Sequence, residues 1–209
     1  MLEIKKRSLR RKIINVLLKF KSLNCKGIHL KKHNIFESDI QIGNGTRING
    51  HFKCKGVGKV SIGNYCAFGE NIRLITSNHN LEALNIQGHL NKELEIVSED
   101  YKKKDIRIGN NVWIGDNVII LPGITIGDCA IIGAGAVVTK NIVAFSINAG
   151  NPSRQIKFRY TSEEVRELLK GIKWWDWPMD KIKANKIFFT LDFNRISLQD
   201  LKIAKDNLV

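Results

Sequence analysis

The chain has 209 residues, 34 Lys+Arg against 20 Asp+Glu, a formal net charge of +14, and 43% hydrophobic residues. That length supports one good-sized core with a small appendage rather than two full domains, and that apolar content excludes wholesale disorder. The charge favours anionic partners: nucleic acid, a membrane surface or a phosphorylated small molecule.

Residues 1–39 read as a basic N-terminal helical segment. Lys5, Lys6, Arg7, Arg10, Arg11, Lys12, Lys19 and Lys21 form a dense basic run, and residues 8–23 are predicted to be a basic amphipathic helix. That helix has two readings: a solvated or trimer-packing helix, or attachment to anionic lipid, worth roughly 1 kcal/mol per basic residue near the surface. The apolar stretch from Ile13 to Leu18 is broken by Asn15. It is too short for a secretory signal or a membrane span, so the expected location is cytoplasmic, with peripheral contact at the inner membrane face as the lipid variant. Cys25, Cys54, Cys66 and Cys129 show no CxxC or Cys/His metal spacing and read as reduced thiols.

Residues 40–159 carry a repeat. From Ile108 the chain divides into sixes: IGNNVW, IGDNVI, ILPGIT, IGDCAI, IGAGAV, VTKNIV. An aliphatic residue opens every unit (Ile108, Ile114, Ile120, Ile126, Ile132, Val138), and a small or aliphatic one follows four positions later (Val112, Val118, Ile124, Ala130, Ala136, Ile142). A helix would repeat apolar residues every 3.6 positions and an isolated strand every two; six fits neither. It fits short flat strands joined at triangle corners, with Gly and Asn after the aliphatic position supplying left-handed or tight backbone and the apolar column closing as coils stack. A less regular block runs through Ile42-Gly43, Ile48, Ile62-Gly63, Phe68-Gly69 and Leu74, with a frame shift that predicts a bulge or loop near Gly56-Val57-Gly58.

Between the two blocks, residues 75–105 lose the period and turn polar, and an inserted loop of that length is usually functional. Residues 160–209 form a small C-terminal helical tail. Thr161-Ser162-Glu163-Glu164 reads as a capping box opening a helix to about Lys170. A second helix is expected near 179–190, and Ser197 with Asp200 marks a third start. Trp174, Trp175 and Trp177 are expected to pack onto the repeat or a neighbouring subunit.

The repeat block, the loop bearing Ser77-Asn78-His79-Asn80, the stretch from Val137 to Tyr160 (VVTKNIVAFSINAGNPSRQIKFRY) and the tail from Ser162 to Ile182 (SEEVRELLKGIKWWDWPMDKI) together resemble hexapeptide-repeat acetyltransferases. The resemblance covers roughly residues 40–190 and points to the branch of xenobiotic acetyltransferases and related sugar O-acetyltransferases. It implies a mainly β chain built as a left-handed parallel β-helix, a homotrimer, and acetyl-CoA as donor. The hand comes from the resemblance alone, since crossovers between parallel strands are normally right-handed.

Acetyl transfer to a hydroxyl needs a base near neutral pKa, and a positioned one contributes roughly 10²–10⁴-fold. No serine or cysteine nucleophile is required if both substrates bind together. Of five histidines, His29, His33 and His51 read as surface or packing residues. His79 matches the family's catalytic position. Asn78 and Asn80 stand beside it as substrate-facing or ring-orienting candidates, and His89 is a loop residue that either touches substrate or is solvated. For the donor the resemblance assigns Asp116 and Ala134 to the pantetheine groove, Thr139 and Lys140 to the nucleotide, and Arg154 and Lys157 to the phosphates. Asp116 departs from the serine of some relatives. Trp113 holds an outward-facing repeat position and reads as a wall for CoA or acceptor.

The function implied is acetyl-CoA-dependent O-acetylation of a sugar hydroxyl, of a bacterial surface polysaccharide or its precursor. The alternatives are O-acetylation of an antibiotic and N-acetylation of an amino sugar. The segment after His79 (NLEALNIQGHLNKELE) lacks the aromatics expected around a hydrophobic drug and favours a polar acceptor. A zinc-dependent β-helix needs three converging histidines, and His79 and His89 have no third partner in the repeat block, so no metal is expected. No nucleic-acid module is recognisable, so no specific nucleic-acid partner is expected.

Overall fold

The computed structural model describes residues 1–5, 8–20, 23–25, 27–95 and 101–209. Lys6, Arg7 and Lys21 of the basic run lie outside the described residues. The chain winds into a parallel β-helix whose coils lay one short strand on each of three faces. One face stacks Asp39–Ile42, Lys59–Ile62, Ile106–Ile108 and Thr125–Ile126. The second stacks Ile35–Phe36, Lys53–Lys55, Arg73–Ile75, Ile119–Ile120 and Val137–Val138. The third runs from Ile28–Leu30 through Arg47–Ile48, Ala67–Phe68, Trp113–Ile114 and Ile131–Ile132 to Ser146–Ala149. Coils stack in direct register, so Ile114 lies opposite Phe68 on one side and Ile132 on the other.

Each position of the six has its own task. The first and fifth both turn inward: all twelve residues named above are buried, at 7% exposure or less. A coil this narrow turns both towards the axis. The second position is glycine for closeness rather than handedness; a Cβ on Gly115 would lie 2.7 Å from the Ala134 nitrogen of the next coil. At the third, an Asn or Asp oxygen accepts a backbone N–H from the preceding coil. Asn64 accepts from Asn44 (2.8 Å), Asn110 from Asn64 (2.8 Å) and Asp128 from Asn110 (2.6 Å). The left-handed residue is the fourth, as at Asn111 (φ 50°), Asn117 (59°) and Cys129 (59°). Asparagine tolerates that region best among residues with a side chain.

The parallel ladders reach back before residue 40, to Ile28–Leu30 and Ile35–Phe36. The first coil lacks the Gly-Asx spacing, and the early interior is filled by Phe36, Phe52 and Phe68, whose neighbouring rings sit 5.8 Å apart. An open β-helix end exposes unpaired strand edges, which invite aggregation. The N-terminal segment covers all three. Leu2–Ile4 pairs antiparallel with Asp39–Ile42, and Leu23–Cys25 pairs antiparallel with Ile28–Leu30. Helix α1 (Leu9–Phe20) covers the third: Asn15 donates to the Phe36 carbonyl and accepts from its N–H, both at 3.1 Å. Ile14 and Leu18 of α1 join the core.

At the other end Arg154–Phe158 pairs antiparallel with Ser146–Ala149. The tail follows with an α-helix at Glu163–Ile172, a 3-10 turn at Trp174–Asp176, and α-helices at Met179–Ala184 and Leu198–Asp206. The first start falls at Ser162, one residue into the predicted box, where its Oγ accepts from the Val165 N–H at 3.1 Å. Ser197 caps the last helix through the Asp200 N–H at 3.0 Å. The tail makes a second core of Val165, Leu169, Trp175, Phe188 and Leu201 against Cys129 and Phe145 of the β-helix. Trp174 sits 5.1 Å from the Tyr65 ring, so the tryptophans pack back onto the β-helix. Among the described residues no helix is long and apolar enough to cross a membrane.

Candidate active site

His79 stands on an arm that leaves the second face after Ile75. Its strand Ser77–His79 pairs antiparallel with Tyr101–Lys103, and a short helix, Gly88–Glu93, lies within the arm. Thr76 roots it. That residue is fully buried; its hydroxyl donates to the Lys55 carbonyl and accepts from the Gly58 N–H, both at 3.0 Å. Gly56 takes φ 110°, and a Cβ there would lie 2.5 Å from the Thr76 hydroxyl. The frame shift at Gly56-Val57-Gly58 is therefore the collar around the arm's root. Thr76 escaped the sequence reading, and that frame shift was its signal.

A cleft of ≈ 310 Å³ opens beside the arm, lined by Asn78, His79, Leu81, Glu82, Lys104, Leu121, Pro122 and Thr139. It brings together Asn78 and His79 with Thr139, which is far from them in the chain, and adds Glu82 and Lys104, which no motif flagged. Leu121 and Pro122 belong to ILPGIT, the unit in which proline and leucine replace the usual Gly-Asx pair. Asn80 and His89 do not line the cleft. The Asn80 side chain accepts the Glu82 N–H at 3.2 Å, shaping the turn. His89 is solvated on the arm helix, 3.4 Å from the Glu93 carboxylate.

The remaining residues form a band across the last coils. Trp113 projects from the third face, 55% exposed. Asp116 and Ala134 occupy the corner between the third and second faces, and Thr139 and Lys140 follow the last strand of the second. Arg154 and Lys157 lie on the closing strand, with Lys157 opposite Ile147. The Asp116 carboxylate accepts the Glu70 N–H at 2.7 Å through one oxygen, a contact between coils. Ser153 Oγ is buried without a hydrogen-bond partner beside the exposed Arg154, and the Ser153 N–H holds the Val137 carbonyl at 2.8 Å. Among the described residues, no carboxylate pairs with Lys140, Arg154 or Lys157.

Three described thiols, Cys54, Cys66 and Cys129, are buried. Burial pushes Cys54 and Cys66 up to about 12 and Cys129 up to about 11, which keeps them protonated and inert at neutral pH. Among the described residues no three His, Cys, Asp or Glu side chains converge to hold a metal.

Residues 105–140 match the bacterial transferase hexapeptide family, six repeats. A probable macrolide acetyltransferase of Lysinibacillus sphaericus is 38% identical over 135 residues, covering 61% of this chain and 74% of that protein. The chain belongs to the hexapeptide-repeat acetyltransferase family. A chloramphenicol acetyltransferase of Morganella morganii is 37% identical over 143 residues, 61% of this chain, and the match spans less than two thirds (64%) of that relative's length. A galactoside acetyltransferase solved in complex with coenzyme A superimposes with a TM-score of 0.53 at 25% identity, covering 78% of this chain and 88% of that one. The fold of this hexapeptide-repeat protein is the left-handed parallel β-helix that the resemblance implied.

Proposed function

We propose that the chain transfers an acetyl group from acetyl-CoA to a sugar hydroxyl, of a bacterial surface polysaccharide or its precursor, by direct transfer with His79 as general base. The observation that carries this reading is the cleft that sets His79 beside Thr139, at the end of the band of cationic and unpaired polar groups. Arg154, Lys157 and Lys140 would hold the donor's phosphates, and Ala134 with the exposed coil backbone its amide chain. Acetyl-CoA supplies the activated acyl group and a thiolate leaving group. His79 takes the proton from the attacking hydroxyl oxygen, and Asn78, beside it in the cleft, hydrogen-bonds the acceptor. Glu82 and Lys104 line the same cleft and give it the polar character a sugar needs.

The family's relatives named for chloramphenicol and macrolides support a second reading, transfer to an antibiotic hydroxyl. The exposed Leu81 with Leu121 and Pro122 gives that reading its apolar wall. N-acetylation of an amino sugar would use the same base. The arm exposes five large apolar side chains, Leu81, Leu84, Ile86, Leu90 and Leu94, which supports its packing on a neighbouring subunit in a homotrimer. The basic α1, with Leu9, Ile13 and Val16 exposed on one side, supports a cytoplasmic enzyme touching anionic lipid at the inner membrane face.

The test is a transfer screen with acetyl-CoA against neutral and acidic oligosaccharides, amino sugars, chloramphenicol and macrolides. Acetylation of a sugar hydroxyl with a higher kcat/KM than either drug is expected. A preference for a drug moves the conclusion to the second reading, and no transfer to any acceptor overturns both.

A further inference from the structure

The second face carries another cleft, of ≈ 340 Å³, on its first three strands. His33, His51, Lys53, Lys55, Asn71 and Arg73 are its polar lining. The two imidazoles occupy successive left-handed corners (φ 69° and 61°) and stack at 5.0 Å with planes 13° apart. Lys53 faces Glu37 at 3.2 Å, while among the described residues no carboxylate pairs with Lys55 or Arg73. Lys53 and Lys55 on one strand and Arg73 on the next, with strands about 5 Å apart, repel one another and leave a positive patch with one counter-charge. Nothing in the coil's construction needs them: the inward partners at these positions are Phe36, Cys54 and Leu74.

Its place relative to His79 gives the patch a meaning. The face orders its strands Ile35–Phe36, Lys53–Lys55, Arg73–Ile75, Ile119–Ile120, Val137–Val138, and the arm departs between the third and fourth. The donor side, with Leu121 and Thr139, lies past the arm. The cationic cleft lies before it, on the side left for the acceptor. From the geometry we infer that this cleft binds the carboxylate or phosphate groups of an acidic glycan, which, on the acetyltransferase reading, is the acceptor laid along the face with one hydroxyl at His79. Nucleic acid fits less well. Phe52, the cleft's phenyl ring, is fully buried, and each exposed imidazole is covered on one face by the other, which leaves a single free face on each for base stacking.

The experiment measures binding of the full chain, by calorimetry, to oligogalacturonate (carboxylate), a phosphorylated mannose oligosaccharide (phosphate), maltohexaose (neutral) and a single-stranded DNA oligonucleotide. It compares the wild type, the Lys55→Gln/Arg73→Gln variant and the charge-conserving Lys55→Arg/Arg73→Lys variant. All these positions are exposed, and the second variant separates loss of charge from loss of fold. At least one acidic glycan should bind about tenfold tighter than maltohexaose, the neutralised variant should lose about that factor, and the conserving variant should keep it. Which acidic glycan binds tells carboxylate from phosphate. Equal binding of neutral and acidic glycans overturns the inference, as does acidic binding indifferent to Lys55→Gln/Arg73→Gln, or tighter DNA binding lost in the same variant. If an acidic glycan binds through Lys55 and Arg73 while the transfer screen acetylates no acceptor, the binding site stands and the acetyltransferase reading falls. If a neutral sugar is acetylated with a KM unmoved by that variant, the acetyltransferase reading stands and this inference falls.

Discussion

Residues 28–75 and residues 106–143 build the same three-faced coil from different side chains. The later block fills its axis with Ile, Val and Ala, caps each coil with Asn or Asp, and turns its corners on Asn, Gly and Cys. The earlier block stacks three phenyl rings inside, turns corners on His33, His51 and Tyr65, and displays Lys53, Lys55 and Arg73. Both keep the inward positions buried and the coils in direct register. The fold therefore demands only apolar volume inside and a tolerable left-handed corner. Everything else is free to carry chemistry.

The comparison breaks first in the interior. Phe52→Ala removes the middle ring of the stack and should cost about 3–5 kcal/mol, while Ile132→Val in the regular block should cost about 0.5–1.5 kcal/mol. Denaturant titration of both variants checks this, and equal losses would show that the rings are not the earlier block's main packing. The outer surface of the later block comes next. Arg154→Gln/Lys157→Gln should weaken CoA binding on the order of tenfold, about 1.4 kcal/mol, and leave thermal stability in place; an unaltered CoA affinity removes the phosphate role. The smallest effect concerns Cys54, whose thiol burial raises from 9.0 to about 12 against the opposing pull of Ser38. Above pH 9 the unfolded chain gives up this proton and the folded chain keeps it, so the stability present below pH 9 is lost as pH rises towards 12. Cys54→Ala should thus show a shallower loss between about pH 8 and about pH 10.5 than the wild type. An identical slope would assign the alkaline loss to other groups.

How much of this could be read from the chain follows the same division. In the later block each inward residue is aliphatic and no insertion breaks the count, so Ile108 to Ile142 declared the coil by period alone. The first coil was illegible because Ile28, Leu30 and Phe36 keep the burial without the Gly-Asx punctuation. Asn15 looked like a mere interruption of an apolar stretch, since its partner, the Phe36 backbone, is 21 residues away and belongs to an edge that only the folded coil creates. The site shows the same limit. His79 could be named from the motif around it, whereas Glu82, Lys104 and Pro122 reach the cleft through the arm's return and the coil stacking, which no local pattern encodes. Asp116 matched a groove position in sequence, and its coil-to-coil hydrogen bond with the Glu70 N–H, 46 residues away, carried no local signal.

The central claim is that the regular block holds the donor while the arm supplies the base. It is tested most directly by His79→Ala, with acetyl transfer and CoA affinity measured on the same preparation. The account predicts that kcat for transfer falls roughly 10²–10⁴-fold while CoA affinity stays within about twofold. Turnover at the wild-type rate would contradict it.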